Sequence, residues 1–274
     1  MTATADPAER LDRVLVARRL ARSRGQAVDL IAEGRVRLNG AVAAKPALRV
    51  AAGDVVEAEA DPAVSRAGGK LAAALDESGT AVPARVLDAG AATGGFTQVA
   101  LARGAERVYA VDVGHGQLAP ALRTDPRVVS REGLNLRDLT LTDLDGQPVD
   151  LVVADVSFIS LTHLLAPLLT VLSLDGTALL LVKPQFEVGR AGLGGRGVVT
   201  RPADRRQAAD RVVAAAAELG WASDWRADSR RPGARGNVEH FLRLRRAGTD
   251  DGPRADCPAG RTDTSSGWAG PARH

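Results

Sequence analysis

The stretch VLDAGAATGGFTQVAL, residues 86–101, decides the fold of this chain. A short apolar run contains Asp88 near its end, a glycine-rich loop follows, and a helical pattern begins where the loop ends. Strand and helix signals then alternate to residue 245. This β-α-β alternation predicts an α/β fold with a doubly wound, mostly parallel sheet that binds its ligand at the carboxyl ends of the strands.

Six strands and four helices follow from these patterns. Short apolar runs bounded by glycine, proline or aspartate predict strands, and apolar residues at helical spacing predict helices. The predicted strands are 84–90, 107–114, 127–130, 150–158, 176–184 and 239–245. The predicted helices are 94–104, 160–172 and 202–220, and another precedes the first strand.

The loop after the first strand lacks the glycine pattern of a dinucleotide site. That pattern is G-x-G-x-x-G, and Ala92 stands at its second glycine position. Asp112 ends the second strand, where it is placed to accept hydrogen bonds from ribose hydroxyls. The alternative is a tight turn that binds nothing.

Together, the glycine loop and the acid after the second strand resemble the S-adenosylmethionine site of class I methyltransferases. This resemblance implies a Rossmann-like methyltransferase sheet with S-adenosylmethionine as cofactor. The implied cofactor-binding residues are Asp88, Gly90, Thr93, Gly94, Gly95, Phe96, Asp112 and Asp155.

Lysine is rare in this chain, which has three lysines and 33 arginines. One of the three, Lys183, ends the apolar run in LLLVKPQFEVG, residues 179–189, directly before a proline. An arginine guanidinium stays protonated in proteins, whereas a lysine amine can lose its proton when burial and a second cation lower its pKa. The retained lysine therefore indicates a position that needs a base.

Four ionisable side chains are expected to converge at the ligand edge of the sheet. Asp155 and Lys183 end adjacent parallel strands, and Glu239 begins a last strand that we expect to run antiparallel. Lys70 lies at the head of the helix before the first strand. This set resembles the catalytic Lys-Asp-Lys-Glu residues of FtsJ-like ribose 2′-O-methyltransferases. An ion pair at a strand end, without catalysis, is the alternative for either lysine.

The predicted chemistry assigns a role to each member of this set. A ribose hydroxyl is a poor nucleophile at neutral pH, so methyl transfer profits from a base that removes its proton. Lys183 is the predicted base, with Lys70 as the neighbouring cation. Asp155 and Glu239 would orient the amines and balance their charge. No metal site is predicted.

A basic segment precedes this domain. Residues 1–49 carry ten basic and five acidic side chains, although the whole chain has a net charge of only +3. Helix signals begin at residues 6–9 and at the capping box 23–26, Gly34 ends the second helix, and Asn39-Gly40 predicts a hairpin. Such a segment favours binding to a polyanion, and a solvated arginine face is the alternative.

Residues 10–40 resemble the S4 RNA-binding domain, a small α+β module. The landmarks Ser-Arg, Leu-Ile, Glu-Gly and Val-x-Leu-Asn-Gly all occur in order. The resemblance implies contacts to the phosphates of structured RNA. The predicted RNA-binding residues are Arg10, Arg13, Arg18, Arg19, Arg22, Arg24, Arg35, Arg37 and Lys45.

Five further motifs resemble, in order, the TlyA or haemolysin-A family. They are VSRAGGKL at 64–71, DAGAATGGFT at 88–97, DVSFISL at 155–161, LVKPQFEVGR at 181–190 and GNVEHFL at 236–242. The resemblance implies S-adenosylmethionine-dependent 2′-O-methylation of cytidine in ribosomal RNA, of the 16S type, the 23S type or both. Loss of this methylation is associated in the family with antibiotic resistance. Arg230 departs from the family, which often has proline there.

Composition changes divide the chain into four segments. Residues 1–60 are predicted to form the S4-like domain, 61–69 a linker, 70–246 the methyltransferase domain and 247–274 a disordered tail. The glycine-rich loop 189–199 is either a mobile lid near RNA or a plain connector.

Several classes of protein are disfavoured. Neither a membrane span of about 20 apolar residues nor an export signal is present, so a cytoplasmic protein without membrane contact is expected. The single cysteine, Cys257, excludes an internal disulfide, and neither a catalytic or zinc-binding cysteine nor a disulfide-linked partner is expected. Ribosomal RNA or ribosomal subunits are the expected partners. A non-catalytic RNA-binding assembly factor remains an alternative, and a pore-forming haemolysin is a weaker one.

Overall fold

The structure is a computed structural model that describes residues 8–21, 24–59, 64–189, 193–194, 197–233 and 236–248. Some of the predictions fall outside this part of the chain. They concern the RNA-binding residue Arg22, the caps Asp6 and Ser23, and the tail from residue 249 onward.

An N-terminal module, residues 8–59, contains two helices and five short strands. These are β1 (Glu9–Arg10), α1 (Leu11–Ala17), α2 (Arg24–Ala32), β2 (Val36–Leu38), β3 (Ala41–Val42), β4 (Arg49–Val50) and β5 (Val56–Ala58). β2 lies between β3 and β5 in an antiparallel sheet, and β1 pairs with β4. Leu11, Leu15 and Leu30 are buried between the helices and these strands, so the module has an apolar core of its own.

The first helix begins later than the sequence predicts. The cap signal at residues 6–9 places residue 9 in the helix, but segments 9–10 and 49–50 pair as two short strands instead. The backbone N–H of Leu11 donates to the carbonyl of Leu48 at 2.8 Å. Because these backbone groups pair between segments, helix α1 starts at Leu11.

The predicted turns of the module are confirmed. Asn39 and Gly40 both have positive φ, 51° and 81°, and they join β2 to β3. Two successive positive φ values are typical of the tight turn that matches the twist of a hairpin. Gly34, also with positive φ, follows the end of α2.

The remaining described residues form a second module around one large sheet. Its elements are α3 (Arg66–Ser78), β6 (Arg85–Ala89), α4 (Gly95–Ala102), β7 (Arg107–Asp112), α5 (Pro120–Arg123), β8 (Val128–Glu132), β9 (Val149–Ala154), α6 (Leu165–Thr170), β10 (Leu172–Val182), α7 (Pro184–Glu187), α8 (Pro202–Glu218), β11 (Trp221–Asp228) and β12 (His240–Arg246).

The sheet confirms the predicted doubly wound architecture. Its seven strands lie in the order β11-β12-β10-β9-β6-β7-β8. The five strands from β10 to β8 are parallel, while β12 is antiparallel to both of its neighbours. After β8 the chain returns to the other side of β6, so the strand order switches between β6 and β9. Ligands of such sheets bind beyond the carboxyl ends of the strands at this switch point.

Several elements differ from the sequence-based expectation, among them the short helices α5 and α7, which were not predicted. The predicted helix 160–172 is a 3₁₀ turn, Leu161–His163, followed by α6, because the ring of Pro167 clashes with a continuous helix. Helix α3 begins at Arg66, inside the segment expected to be a linker. Strand β11 was not expected, because only its first residue, Trp221, is fully buried and its pattern lacks a long apolar run.

Both faces of the sheet are covered by helices. Leu87, Val152 and Leu180 pack on one face beneath α6 and α8, while Val86, Val153 and Leu181 pack on the other face beneath α3 and α4. Strands buried on both faces explain the continuous apolar runs that made them visible in the sequence. The loops at the strand ends are held on this rigid base.

Candidate functional site

The glycine loop between β6 and α4 lies close against the end of β9. Gly90 has φ +85°, and a Cβ atom there would lie 2.8 Å from the backbone oxygen of Asp155. Gly94 has φ +93°, and a Cβ atom there would lie 2.8 Å from a methyl group of Leu118. Residues that carry a side chain rarely adopt these φ values, so glycine at these two positions allows the loop to fold this tightly.

Asp88 holds the start of helix α4. Its Oδ2 accepts hydrogen bonds from the backbone N–H of Thr97 at 2.7 Å and from the Thr97 hydroxyl at 2.6 Å. The side chain is fully buried, and burial raises the pKa of this carboxyl to about 7. Its Oδ1 has no hydrogen-bond partner among the described residues. Asp88 therefore stabilises the loop and the start of α4 from the buried side.

Asp112 joins the loops that follow β6 and β7. Its Oδ2 accepts a hydrogen bond from the N–H of Ala92 at 2.9 Å, and its Oδ1 accepts one from the N–H of Gly114 at 2.7 Å. Each carboxylate oxygen keeps a second lone pair for another donor. This fits the predicted role of accepting hydrogen bonds from ribose hydroxyls.

A cavity of about 490 Å³ opens beyond the carboxyl ends of β6, β7, β8 and β9. This volume is in the range of small-molecule and cofactor sites. Its wall combines the acids Asp112 and Asp155 with apolar side chains and glycine backbone. The lining residues include Gly90, Ala92, Val113, Gln117, Leu134, Leu136, Ser157 and Ile159. The mixture of apolar walls and acceptors fits S-adenosylmethionine.

The other predicted cofactor residues lie in different places. Gly95 packs against helix α3, where a Cβ atom would lie 2.9 Å from the nitrogen of Gly68. Phe96 is buried in the core, with its ring 6.3 Å from that of Phe241. Thr93 lines a second groove rather than the cofactor cavity. Of the eight predicted residues, Gly90, Asp112 and Asp155 line the cavity directly.

Lys183 and Asp155 form one ion pair at the edge of this cavity. Lys183 follows the end of β10 and Asp155 follows the end of the adjacent parallel strand β9. The distance from Nζ to Oδ1 is 2.7 Å, and the Lys183 amine also donates to the hydroxyl of Ser157 at 2.7 Å. Both ionic side chains are mostly buried, 11% and 16% exposed.

Lys70 and Glu239 form a second ion pair. The distance from Nζ to Oε2 is 2.6 Å, and the exposed fractions of the side chains are 10% and 2%. Glu239 directly precedes β12, which runs antiparallel to β10 as the sequence predicts. Antiparallel pairing brings the start of β12 to the end of β10, where Lys183 lies. The structure thus pairs each lysine with one acid.

Two residues that lie beside this site had no role predicted from the sequence. Ser157 contacts Lys183 as described, and Phe158 has φ +66° with 92% of its surface exposed. The Phe158 ring lies 5.5 Å from the ring of Phe186 on α7. A positive φ is unusual for a bulky residue and often marks a functional site. Both residues belong to the DVSF motif, whose aspartate alone had a role assigned.

Glu187 at the end of α7 fixes the loop that carries this motif. Its Oε2 accepts from the hydroxyl of Ser160 at 2.5 Å, and its Oε1 accepts from the N–H of Leu161 at 2.9 Å. Burial raises the pKa of this carboxyl above its usual range. Loop 155–161 is therefore attached to segment 183–187 at both ends.

Hydrogen bonds and an ion pair connect the loops near the site to other parts of the chain. Asn237 is buried, accepts from the N–H of Val199 at 3.0 Å and donates to the carbonyl of Gly197 at 3.1 Å. Arg230, the residue that departs from the family pattern, forms an ion pair with Glu77. Much of loop 189–199 lies outside the described residues, so its predicted role as a lid stays a prediction.

The N-terminal module carries a basic groove. Arg10, Arg13 and Arg18 line it together with Arg49, which was not among the predicted RNA-binding residues. Arg49 lies on β4, and its guanidinium donates to the carbonyl of Ala8 at 3.0 Å. In the sequence, Arg49 could be recognised only by its charge. It is far along the chain from Arg10, Arg13 and Arg18, so its position in the same groove could not be predicted.

A buried acid binds two of the predicted RNA-binding arginines. Asp12 is 1% exposed, and its carboxylate accepts hydrogen bonds from Arg10 at 2.9 Å and from Arg24 at 2.9 Å. These bonds hold the pKa of the Asp12 carboxyl well below its usual range. Both guanidinium groups stay partly exposed, with their orientation set by Asp12.

The remaining predicted RNA-binding residues are dispersed. Arg19, Arg37 and Lys45 are exposed on the N-terminal module. Arg35 is mostly buried beside Glu33 and lines a different groove, between the two modules. The structure therefore groups Arg10, Arg13 and Arg18 but does not bring all the predicted residues together.

No helix in the described part of the chain is long and apolar enough to cross a membrane. Among the same residues, no group of three or more histidine, cysteine, aspartate or glutamate side chains is arranged to hold a metal ion.

Comparison with family models gives two matches. An FtsJ-like methyltransferase model matches residues 63–246, and an S4 domain model matches residues 9–56. Together these matches cover most of the described chain.

Similar proteins are found over nearly the full length. The 16S/23S rRNA (cytidine-2′-O)-methyltransferase TlyA of Mycobacterium tuberculosis is 50% identical, over 86% of this chain and 89% of the relative. Hemolysin A of Brachyspira hyodysenteriae is 36% identical, over 85% of this chain and 99% of the relative. The solved structure of a Streptococcus thermophilus protein provisionally named a hemolysin is 36% identical and superposes with a TM-score of 0.71, covering 88% of this chain and 90% of that one.

Proposed function

The chain belongs to the family of FtsJ-like methyltransferases that carry an S4 domain, and we propose that it methylates the ribose 2′-hydroxyl of cytidine in ribosomal RNA. The observation that carries this proposal is a set of two buried ion pairs: Lys183 with Asp155 at the edge of the cavity, and Lys70 with Glu239. Glu239 precedes the strand that starts beside Lys183. The name of the Mycobacterium tuberculosis relative supports the choice of cytidine in 16S or 23S RNA.

S-adenosylmethionine would supply an electrophilic methyl group in the cavity beyond β6, β7, β8 and β9. Asp112 would hold the ribose hydroxyls of this cofactor through the lone pairs left free by its bonds to Ala92 and Gly114. Gly90 would allow the backbone to approach it closely, because a side chain there would collide with Asp155. The apolar walls would exclude water from the reacting atoms.

In the proposed reaction Lys183 acts as the base. Its neutral amine would take the proton of the 2′-hydroxyl as that oxygen bonds to the methyl carbon and the carbon–sulfur bond of the donor breaks, so that the methylated ribose, S-adenosylhomocysteine and the ammonium form of Lys183 result. Asp155, at 2.7 Å, orients the amine and stabilises the ammonium form. Lys70 supplies a second cation whose charge Glu239 balances. Proton release to solvent afterwards restores the base.

The RNA would be held by the N-terminal module. Its groove lined by Arg10, Arg13, Arg18 and Arg49 offers guanidinium groups to phosphate oxygens. Contacts of this type position structured RNA without reading its sequence, so they suit delivery of a folded ribosomal RNA to the second module. Exposed Phe158, beside Lys183, offers a ring on which an unstacked target base can lie.

Methyl transfer tests this proposal directly. The protein is incubated with labelled S-adenosylmethionine and with small subunits, large subunits or free ribosomal RNA. We expect label at a cytidine 2′-oxygen in at least one of them, located by mapping 2′-O-methyl positions. Tight RNA binding without label in any substrate would sink the proposal and favour an assembly factor without catalysis.

Replacing Lys183 tests the identity of the base. Lys183→Arg keeps the positive charge and removes the ability to accept a proton at neutral pH. We expect kcat to fall by about 10²- to 10⁴-fold, the usual contribution of a general base. The cofactor affinity, measured by calorimetry, should change little. A variant that turns over at the wild-type rate would refute Lys183 as the base.

A further inference from the structure

We propose that Ser157 is a positioning residue that aims the lone pair of Lys183, an inference that rests on the proposed function. Ser157 accepts a hydrogen bond from the Lys183 amine at 2.7 Å, while Oδ1 of Asp155 lies 2.7 Å from the same nitrogen. Two acceptors therefore surround one lysine nitrogen at the edge of the cofactor cavity. They differ in chemistry, because one is charged and the other is a neutral hydroxyl.

The hydrogen bond to Ser157 matters because the groups around a tetrahedral nitrogen point in a few fixed directions. A neutral amine has three directions besides its bond to carbon, namely two N–H bonds and one lone pair. The oxygen Oδ1 of Asp155 lies 2.7 Å from the amine but forms no hydrogen bond with it among the described residues, so its charge favours an N–H on that side without fixing the rotation about Cε–Nζ. The hydrogen bond to Ser157 fixes one N–H, and with the second N–H drawn toward Asp155 the lone pair is left with the third direction, where we place the 2′-hydroxyl.

The position of Ser157 is itself fixed by its surroundings. The loop that carries it is attached through Ser160 and Leu161 to the carboxylate of Glu187. The neighbouring ring of Phe158 lies against Phe186, on the helix that Lys183 precedes. Donor and acceptor thus lie on two segments joined at three points, so the hydrogen bond does not have to order a mobile loop. Such preorganisation is what an effective base requires.

The experiment compares Ser157→Ala with Ser157→Thr and uses methyl transfer to the ribosomal RNA that the wild-type protein modifies. Thr keeps a hydroxyl acceptor, whereas Ala removes it. Ser173→Ala is the matched control, because the Ser173 hydroxyl also forms a hydrogen bond with an ionisable side chain, donating to Asp150 at 2.8 Å, but lies near the start of β10, at the opposite end of the sheet. Melting temperature and calorimetric cofactor affinity are measured for each variant.

We expect Ser157→Ala to lower kcat by about three- to tenfold, the range of one lost hydrogen bond to a charged or polar partner. The KM for RNA, the cofactor affinity and the melting temperature should stay near wild type, which a merely structural role would not produce. Ser157→Thr should recover most of the rate, and Ser173→Ala should equal wild type.

Two results would overturn the assignment of Ser157. One is an Ala variant with unchanged kcat; the other is a loss confined to cofactor affinity, which would make Ser157 a cofactor contact. If the wild-type protein itself transfers no methyl group to any ribosomal substrate, the proposed function fails, and the assignment of Ser157 falls with it. The failures are thus distinguishable, because the first two occur with an active wild-type enzyme.

Discussion

At the scale of single residues, the site shows how differently one residue type is used. Asp12, Asp88 and Asp155 are all buried or largely buried carboxylates. Asp12 and Asp155 have cationic partners, whereas among the described residues the hydrogen bonds of Asp88 come from Thr97 alone. A buried carboxylate without a cation favours its protonated form. Of these three carboxyls, Asp88 is therefore the one whose pKa the fold raises, and this shift can be measured through its effect on stability.

Replacing Asp88 should change how stability depends on pH. Because its pKa is raised from about 4 in the unfolded chain to about 7 in the folded protein, the folded state binds more protons between those values, and stability is lost as pH rises through that window. Asp88→Asn removes this loss. We expect the melting temperature of the variant, relative to wild type, to rise steadily from pH 4 to pH 7. A constant difference across that range would contradict the perturbed carboxyl.

The exposed ring of Phe158 gives a second prediction at this scale. A base stacked on an aromatic ring gains about 1–3 kcal/mol, so Phe158→Ala should lower kcat/KM for RNA by roughly 5- to 150-fold. Phe158→Trp should retain most activity. Because Phe158 also lines the cofactor cavity, cofactor affinity is measured for each variant, and stacking predicts that the loss of kcat/KM for RNA persists at saturating cofactor. Equal activity of the Ala and Trp variants would exclude stacking.

At the scale of elements, the glycine loop between β6 and α4 connects the cavity to the ion pair of Lys183 and Asp155. Gly90 belongs to the loop and Asp155 to the end of β9, and the two backbones touch. A change at Gly90 therefore reaches Asp155 and, through it, Lys183. The loop is a mechanical part of the site as well as a wall of the cavity.

Gly90→Ala tests this coupling. Its Cβ atom would lie 2.8 Å from the Asp155 oxygen at a φ of +85°, so the loop must shift. We expect cofactor affinity to fall by at least about tenfold, since backbone strain of this kind costs about 1–3 kcal/mol. Gly104→Ala is the matched control, because Gly104 also has a positive φ, +102°, but has open space around its Cβ position. Similar loss in both variants would mean that strain alone, without the contact to Asp155, explains the effect.

Much of this element layout is predictable from sequence. Strands buried on both faces give continuous apolar runs, so β6, β7, β9 and β10 were found together with the parallel order that brings Asp155 beside Lys183. Strand β11 was not, because its exposed face breaks the apolar run. Ser157 had no assigned role, because a lone serine carries no pattern and its bond to Lys183 depends on how two loops meet.

At the scale of the whole molecule, the two modules carry different candidate sites. The N-terminal module holds a basic groove, and the second module holds the cavity and both ion pairs. An ion pair between Arg231 and Glu33, 3.2 Å apart, connects them. Arg231 belongs to the segment between β11 and β12, which also leads to Glu239. The position of the N-terminal module is therefore linked to the segment that leads to Glu239, one of the four proposed catalytic residues.

The salt dependence of RNA binding tests the basic groove. Each phosphate contact that is lost lowers the slope of log affinity against log salt concentration by nearly one. Arg13→Ala should lower this slope and weaken binding of ribosomal RNA, because Arg13 is exposed in the groove. Arg103→Ala, which removes the same charge from an arginine bound to Asp76 on the second module, is the control. Equal slopes for both variants would assign binding to general charge rather than to the groove.

Because β12 runs antiparallel to β10, its first residue lies beside the end of β10 and its last residue lies toward the start of β10. Glu239 precedes its first residue at the edge where the lysines lie, and the strand then runs seven residues to Arg246. At about 3.4 Å per residue, its far end lies about 20 Å from the end at which Glu239 lies. A fluorophore attached at Arg246 would therefore report from a point well separated from both ion pairs, which makes it suitable for binding measurements that must leave the cavity free.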